Sequence, residues 1–260
     1  MQVINGKVTE ETYKKVKSIL VSQPKPERSP YYDLETKYEL TIDWRPFIHV
    51  EGLTPKEFRK QRIRPDEFSA VIFTSKNAID HFFRLCDEMR IKMSQDTKYR
   101  CKTEAVANYL QKFIVYRKRK VFAGVRSVLD LKPALLKHKD KENFLLPTSN
   151  LGSGNFGAFL EENGFKWQQA MMYQTVTSDL SDLKDIYYDI IVFFSPLDIK
   201  ALYENFPDFE QKATRIAGFG KSTTTAIENE GLFLNIQAPA PEVPSMTMAL
   251  ENYLKISNKD

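Results

Sequence analysis

Short apolar runs alternate along the chain with stretches whose apolar residues recur at helical spacing, and one such pairing occurs twice. Phe68-Ser69-Ala70-Val71-Ile72-Phe73-Thr74-Ser75 returns as Tyr188-Asp189-Ile190-Ile191-Val192-Phe193-Phe194-Ser195. Each copy is an aromatic residue, an apolar run of buried-strand length, and a serine where the run stops. A helical pattern follows each serine: Ala78, Ile79, Phe82, Phe83 and Leu85 in the first copy, Ile199, Ala201, Leu202 and Phe206 in the second. Two buried strands, each ending in a hydroxyl at a helix entrance, predict a duplicated α/β unit. Open α/β sheets bind ligands at the carboxyl ends of their strands, so a duplicated fold offers two such edges and room for a ligand between them.

The repetition extends further. Ser18 to Ser22 reads as a short strand followed by a loop with Pro24 and Pro26, and its counterpart is Asn143 to Ser149 followed by the loop Asn150 to Gly154. Each leads through a helix-like segment to a strand, Glu39 to Val50 in one half and Lys166 to Val176 in the other. A second strand-turn-helix follows in each half, Lys98 to Ala107 running on to Phe113, and Thr214 to Ile227. Alternation at these lengths predicts parallel sheets with right-handed crossovers. The proline-rich stretch Ala238 to Ser245 marks a boundary before an amphipathic helix, Met246 to Leu254. The tail Ser257 to Asp260 is expected to fray.

Composition narrows the class. A hydrophobic share of 42% and a charged share of 28% suit a globular chain of one large or two ordinary domains. No apolar run approaches the roughly 20 residues that span a bilayer, and Met1 to Glu11 is polar, without the apolar core of a secretion signal. Cys86 and Cys101 fall in different predicted elements, which argues against a disulfide framework and for a reducing compartment. His49, His81 and His138 are scattered without a second ligand at metal spacing, so no metal site is expected. The net charge of +4 is mildly basic and favours anionic partners. Arg117-Lys118-Arg119-Lys120 is the densest basic run; with no nucleic-acid motif beside it, it reads as a solvated face.

The most chemically suggestive stretch is Ala217-Gly218-Phe219-Gly220-Lys221-Ser222-Thr223-Thr224-Thr225-Ala226. Glycines allow a tight turn, Ser/Thr can cap the following helix, and helix N-termini accept carboxylates and phosphates. A phosphate-binding loop is excluded, because Arg215 stands five residues before Gly220 where that motif needs glycine. A dinucleotide fingerprint is excluded as well, since Thr223 holds the place of its third glycine.

Four segments in order resemble the uroporphyrinogen-III synthase family over essentially the whole chain. They are Ile72 to Ser75, Val192 to Pro196, the Ala217 to Ala226 turn with Gly231-Leu232, and the tail from Ala238-Pro239-Ala240-Pro241 through Ser245-Met246 to Ala249-Leu250. The resemblance implies two flavodoxin-like α/β domains joined by a two-stranded linker, the first domain discontinuous. Carried over, residues 1–40 and 177–260 form one domain, 48–168 the other, and 41–47 with 169–176 the linker. The residues alone give the duplicate halves; the exchange of segments comes from the resemblance. It further implies a cyclising hydro-lyase of haem biosynthesis that closes hydroxymethylbilane to uroporphyrinogen III, inverting ring D and losing water, with no metal or organic cofactor. The partner is a linear tetrapyrrole bearing eight carboxylates, with no nucleic acid and no membrane, and the protein is expected to be a cytoplasmic monomer.

By the same resemblance Tyr173 is the proton donor, although from the residues alone it reads as a linker aromatic with a surface hydroxyl. Ser75 and Ser195 match the strand-end serines, Thr103 the corresponding turn, and Ser222 and Thr223 the paired hydroxyls of the Gly-Pro-Thr-Thr turn. Lys76, Arg100, Lys102 and Lys221 are the candidate cations; on exposed loops such side chains are ordinarily just solvated. The chain departs from the pattern at several points. Lys221 replaces the proline of the turn, Gln23 stands where an arginine is common, Arg100 to Thr103 lacks the family's glycine, and Asp198 puts an acid beside a carboxylate site. These departures keep open a non-catalytic tetrapyrrole-binding or regulatory module with the same two-domain cleft. A two-lobed solute receptor is disfavoured by the missing export signal.

Overall fold

The two copies of the strand-to-serine phrase lie in different sheets. The structure, a computed structural model, describes residues 3–4, 7–8, 11, 13–125 and 128–259. The chain divides into unit 1, Met1–His49 with Val176–Asp260, and unit 2, Val50–Thr175. Unit 1 begins with β1 (Val3–Ile4) and β2 (Lys7–Val8), then β3 (Ser18–Val21), α1 (Tyr31–Tyr38) and β4 (Thr41–Trp44). β5 (Ile48–Gly52) leads into unit 2, which holds α2 (Pro55–Arg59), β6 (Ala70–Phe73), α3 (Lys76–Glu88), β7 (Lys98–Cys101) and α4 (Glu104–Leu110). It continues with β8 (Val121–Ala123), α5 (Lys132–His138), β9 (Phe144–Thr148), α6 (Gly154–Glu162) and β10 (Trp167–Met171). β11 (Tyr173–Thr177) leads back to unit 1 and to β12 (Ile190–Phe193), α7 (Pro196–Asn205), β13 (Arg215–Phe219), α8 (Lys221–Asn229), β14 (Leu234–Ala238) and α9 (Met246–Ser257).

Each unit contains a five-stranded parallel sheet, ordered β14-β13-β12-β3-β4 in unit 1 and β10-β9-β6-β7-β8 in unit 2. Unit 1 read from its other edge is the flavodoxin-like order, with the direction of winding reversing between β3 and β12. Unit 2 has the same layout with its strands entering in rotated sequence: β9 and β10 take the places of β3 and β4, and β6, β7 and β8 those of β12, β13 and β14. The pairings read from sequence repetition are therefore those of the sheets.

The apolar runs are continuous because both faces of each strand are covered. In unit 1, Ile19, Val21, Ile190 and Val192 pack with Leu34 of α1 and Leu250 and Leu254 of α9. Leu20, Ile191, Phe193 and Ile216 pack on the other face with Ile199 and Leu202 of α7 and Ile227 of α8. In unit 2, Val71, Phe73 and Leu145 join Ile79, Phe82 and Leu110 of α3 and α4, while Ile72, Phe144 and Leu146 join Leu135, Phe156 and Leu160 of α5 and α6. Each such side chain contributes about 1.5–3 kcal/mol.

Several sequence expectations shift. Glu39 to Val50 and Lys166 to Val176 are each two strands, not one. Thr41–Trp44 pairs residue for residue with Ser18–Val21, and Trp167–Met171 with Phe144–Thr148, so both belong to the main sheets. The chain breaks at Pro46, which has no N–H to give a ladder, and at Met172. The two-stranded ladder beyond those breaks is β5 with β11 rather than 41–47 with 169–176. The tail does not fray where expected: Ser257 is buried, and Asn258 exchanges hydrogen bonds with Val16, both at 2.8 Å. Asp260 lies outside the described residues, as do most positions of the polar segment Met1 to Glu11.

Arg100 is withdrawn from the candidate cations. It is fully buried on β7, its Nη2 is 2.8 Å from both Glu142 carboxylate oxygens, and its guanidinium lies 4.7 Å from the centre of the Phe122 ring. Lys98 Nζ joins the same carboxylate at 2.9 Å. Removing the acid leaves a buried guanidinium without its counter-charge, so Glu142→Ala should cost about 3–5 kcal/mol. Urea unfolding checks this; a loss below about 1 kcal/mol would show that the pair is not the buried anchor described.

Candidate functional site

In both sheets the hydroxyls that end the strands first satisfy orphan helix amides. Ser75 Oγ accepts from Ala78 N–H at 3.1 Å and opens α3, and Thr103 Oγ1 accepts from Val106 N–H at 3.4 Å and opens α4. Ser195 Oγ accepts from Leu197 N–H at 3.2 Å and opens α7. β6 and β7 are neighbours, Phe73 facing Cys101, so Ser75 and Thr103 stand on adjacent strand ends. A capping oxygen keeps its own proton, which remains available as a donor.

In unit 2 that hydroxyl meets Tyr173. Tyr173 is buried at the start of β11, and its hydroxyl lies 3.3 Å from Ser75 Oγ. His81, further along α3, stacks on the Tyr173 ring with centroids 5.1 Å apart and planes 19° from parallel. Gly52 makes room for this: a Cβ there would come within 2.7 Å of His81 Nδ1 and 2.5 Å of Arg84 Nη2. Arg84 Nη2 in turn donates to Leu53 O at 2.7 Å. His81 Nδ1 is buried without a hydrogen-bond partner, which disfavours a proton on that atom. Burial, and then Arg84, hold its pKa below the usual histidine range, so the ring against Tyr173 is a neutral imidazole. His81 entered the sequence reading only as a metal candidate; nothing in the pattern showed that α3 turns it towards β11. Lys76 is exposed with Nζ 5.3 Å from the Tyr109 ring centre.

Unit 1 differs at the equivalent strand end, where Asp198 takes the place held by Ala78. Asp198 is 1% exposed, and its Oδ2 accepts from Ser22 Oγ at 2.7 Å, Phe194 N–H at 2.9 Å and Ser195 N–H at 3.0 Å. With Ser195 it forms a reciprocal capping box. The acid expected beside a substrate carboxylate is therefore an internal acceptor that consumes the local amides. At the next strand end, the Ser/Thr run does not cap α8. Gly220, at φ 85°, is the N-cap, and the helix begins at Lys221. Lys221 and Ser222 are exposed, whereas Thr223 is 1% exposed, its side chain turned into the unit.

Among the described residues no group of three or more His, Cys, Asp or Glu side chains is placed to hold a metal ion. The sites thus comprise a Ser75–Tyr173–His81 group with Lys76 and Thr103 nearby in unit 2, and Ser195 with Ser22 and Asp198, beside Lys221 and Ser222, in unit 1.

Burial raises the Asp198 carboxyl above its usual range, with the Ser22 and backbone hydrogen bonds opposing it. The folded chain then holds a proton that the unfolded chain releases. This contribution is greatest below the ordinary aspartate pKa of about 4 and is lost as pH rises through the folded-state value. Asp198→Asn keeps an acceptor oxygen and has no proton to lose, so its Tm relative to the parent should rise between about pH 4 and about pH 8. Thermal melts across that range check this; a constant difference would remove the raised pKa.

Comparison with known proteins supplies the wider context. The family model described as uroporphyrinogen-III synthase HemD matches residues 37–248. No curated protein matches the chain at a significant level. The fold is similar to that of uroporphyrinogen-III synthetase from Helicobacter pylori, at 18% identity and a TM-score of 0.60, covering 92% of this chain and 99% of that one. It is similar also to a mutant uroporphyrinogen III synthase from the extremely thermophilic bacterium Thermus thermophilus, at 13% identity and a TM-score of 0.55, covering 92% and 99%. At these identities the structures speak for the fold, while the family model spans well over half of the sequence. The chain belongs to the uroporphyrinogen-III synthase family.

Proposed function

We propose that this chain closes hydroxymethylbilane to uroporphyrinogen III with Tyr173 as its acid. Family membership supports the cyclising lyase. The observation that carries the assignment of the acid is the Tyr173 hydroxyl held 3.3 Å from Ser75 Oγ at the carboxyl end of β6. Closure with inversion of ring D breaks one C–O bond and one C–C bond and forms two C–C bonds. The departing hydroxyl takes a proton and leaves as water, and the resulting electrophilic azafulvene is attacked by the substituted α-carbon of ring D. The bond from that carbon to its original methylene then breaks, and the methylene rejoins ring D at its free α-carbon, which releases a proton. The proton lent by the phenol is returned by ring closure, so no net acid is consumed. A phenol pinned by a hydroxyl and a neutral imidazole keeps one position through that cycle.

The remaining task is orientation, because the free bilane closes by itself to the uninverted ring; holding the chain in one geometry is where an entropy trap acts. Lys76 and Thr103 in unit 2, and Lys221, Ser222 and Ser195 in unit 1, are the proposed donors to the substrate carboxylates. Among these, Ser195 contributes through its hydroxyl proton alone, since its amide is committed to Asp198. Thr223, buried as it is, supports the turn and touches substrate only if α8 shifts. No helix of the described residues is long and apolar enough to cross a membrane. The charge on the accessible site residues suits a polycarboxylate, and we assign the protein as a cytoplasmic monomer without a nucleic-acid partner.

Tyr173→Phe should slow type III formation about a hundredfold or more, with uroporphyrinogen I accumulating instead. Separating the isomers made from enzymatically generated hydroxymethylbilane checks this, and unchanged turnover would remove Tyr173 from the mechanism. If the parent protein itself gives type I alone, the binding-module reading replaces the enzyme. His81→Phe, which keeps a flat ring on Tyr173, should retain most activity, whereas His81→Ala should lower kcat more than it raises KM. Equal losses in both variants would show that the imidazole does more than position the phenol.

A further inference from the structure

Unit 2 contains a concavity at the opposite end of its sheet from Ser75 and Tyr173. It lies where β7 and β8 begin, and its volume is about 490 Å³, within the about 300–1,000 Å³ of small-molecule sites. Phe83, Ile91, Met93, Phe113, Ile114 and Val121 form its apolar lining. Phe83 and Phe113 are stacked with centroids 4.9 Å apart and planes 10° from parallel, so that side is already ordered. Two features separate it from an ordinary packing gap. Thr97, 3% exposed, lines the cavity, and its buried hydroxyl has no hydrogen-bond partner.

The second feature is charge. Asp87, Lys92, Arg117 and Lys120 border the cavity. Lys120 is committed to Asp96 at 2.7 Å, which leaves two cations, Lys92 and Arg117, against the one acid Asp87. The site thus carries a surplus of a single positive charge beside an apolar lining and an unused hydroxyl donor. A cavity of unit 1, about 550 Å³, has no such surplus, since Lys184 there is matched by Asp208. Cys86 also borders the unit 2 cavity, but burial pushes its thiol up to about 12, so the site is suited to binding rather than thiol chemistry.

We propose that this cavity binds a small amphipathic monoanion, an apolar body bearing one carboxylate, with the carboxylate taken by Arg117, Lys92 and the Thr97 hydroxyl. Arginine grips a carboxylate through paired N–H donors, and a single surplus charge selects a monoanion over a doubly charged phosphate ester. Arg117, at the head of the basic run and unused by the reaction at the other end of the sheet, thereby gains a role. The inference is independent of the proposed cyclisation, and its test uses no turnover.

Decanoate and decanol serve as probes on the full chain, followed through the methyl resonances of Ile91, Met93 and Ile114. Decanoate should shift these methyls and saturate at one per chain, with decanol binding about tenfold more weakly. Arg117→Ala and Thr97→Val should each weaken decanoate binding about tenfold, and Arg117→Ala should leave decanol binding unchanged. Equal affinity for the two probes, shifts confined to methyls outside the cavity, or undiminished decanoate binding in either variant would overturn the proposal. Arg117 is exposed, so its replacement leaves the fold intact and keeps the test decisive.

Discussion

A strand buried on both faces can offer polar chemistry only at its ends, and in a parallel sheet each carboxyl end runs into a helix whose first amides need acceptors. That requirement organises both units. Ser75, Thr103 and Ser195 are held where they are because each satisfies an orphan amide of the helix it opens. Their availability to a ligand is a by-product of this structural duty. The capping oxygen is engaged while its proton is free, so these strand ends are better suited to donate to carboxylates than to accept from cations.

The two units then treat the same strand end differently. In unit 2 the residue three beyond the serine is Ala78, and the local polarity is completed by Tyr173 and His81. In unit 1 it is Asp198, whose carboxylate gathers Ser22 and two backbone amides into a closed group. That strand end is therefore already filled by an acid of the chain itself. Duplication supplied two equivalent positions, and one side chain leaves the first open to Tyr173 and His81 and closes the second with internal support.

Much of this was legible from pattern. Apolar runs ending in serine marked the central strands of both sheets, because only doubly covered strands lack polar alternation. Ser195-Pro196-Leu197-Asp198 carried the spacing of a capping box, a signal that would have identified Asp198 as an internal acceptor. Other contacts have no local signature. Arg100 and Glu142 are separated by 42 residues and meet only when α5 and β9 are packed. The stack of His81 on Tyr173 depends on Gly52, a third segment, lacking a side chain. The starts of β5 and β11 were blurred because polar and apolar residues continue across Pro46 and Met172 without a change of rhythm.

The rotated strand order bears on how the chain is made. All five strands of the unit 2 sheet lie within one continuous segment, Val50–Thr175, whereas β3 of unit 1 is translated well before the β12 it pairs with. Domains fold as units during synthesis, so the inserted unit can close its sheet on the ribosome while the paired strands β3 and β4 still wait for β12 and for the cover of α9. Vectorial synthesis therefore puts the burden of chaperoning on the β3 edge that faces β12, which stays open until Ile190 to Val192 have emerged.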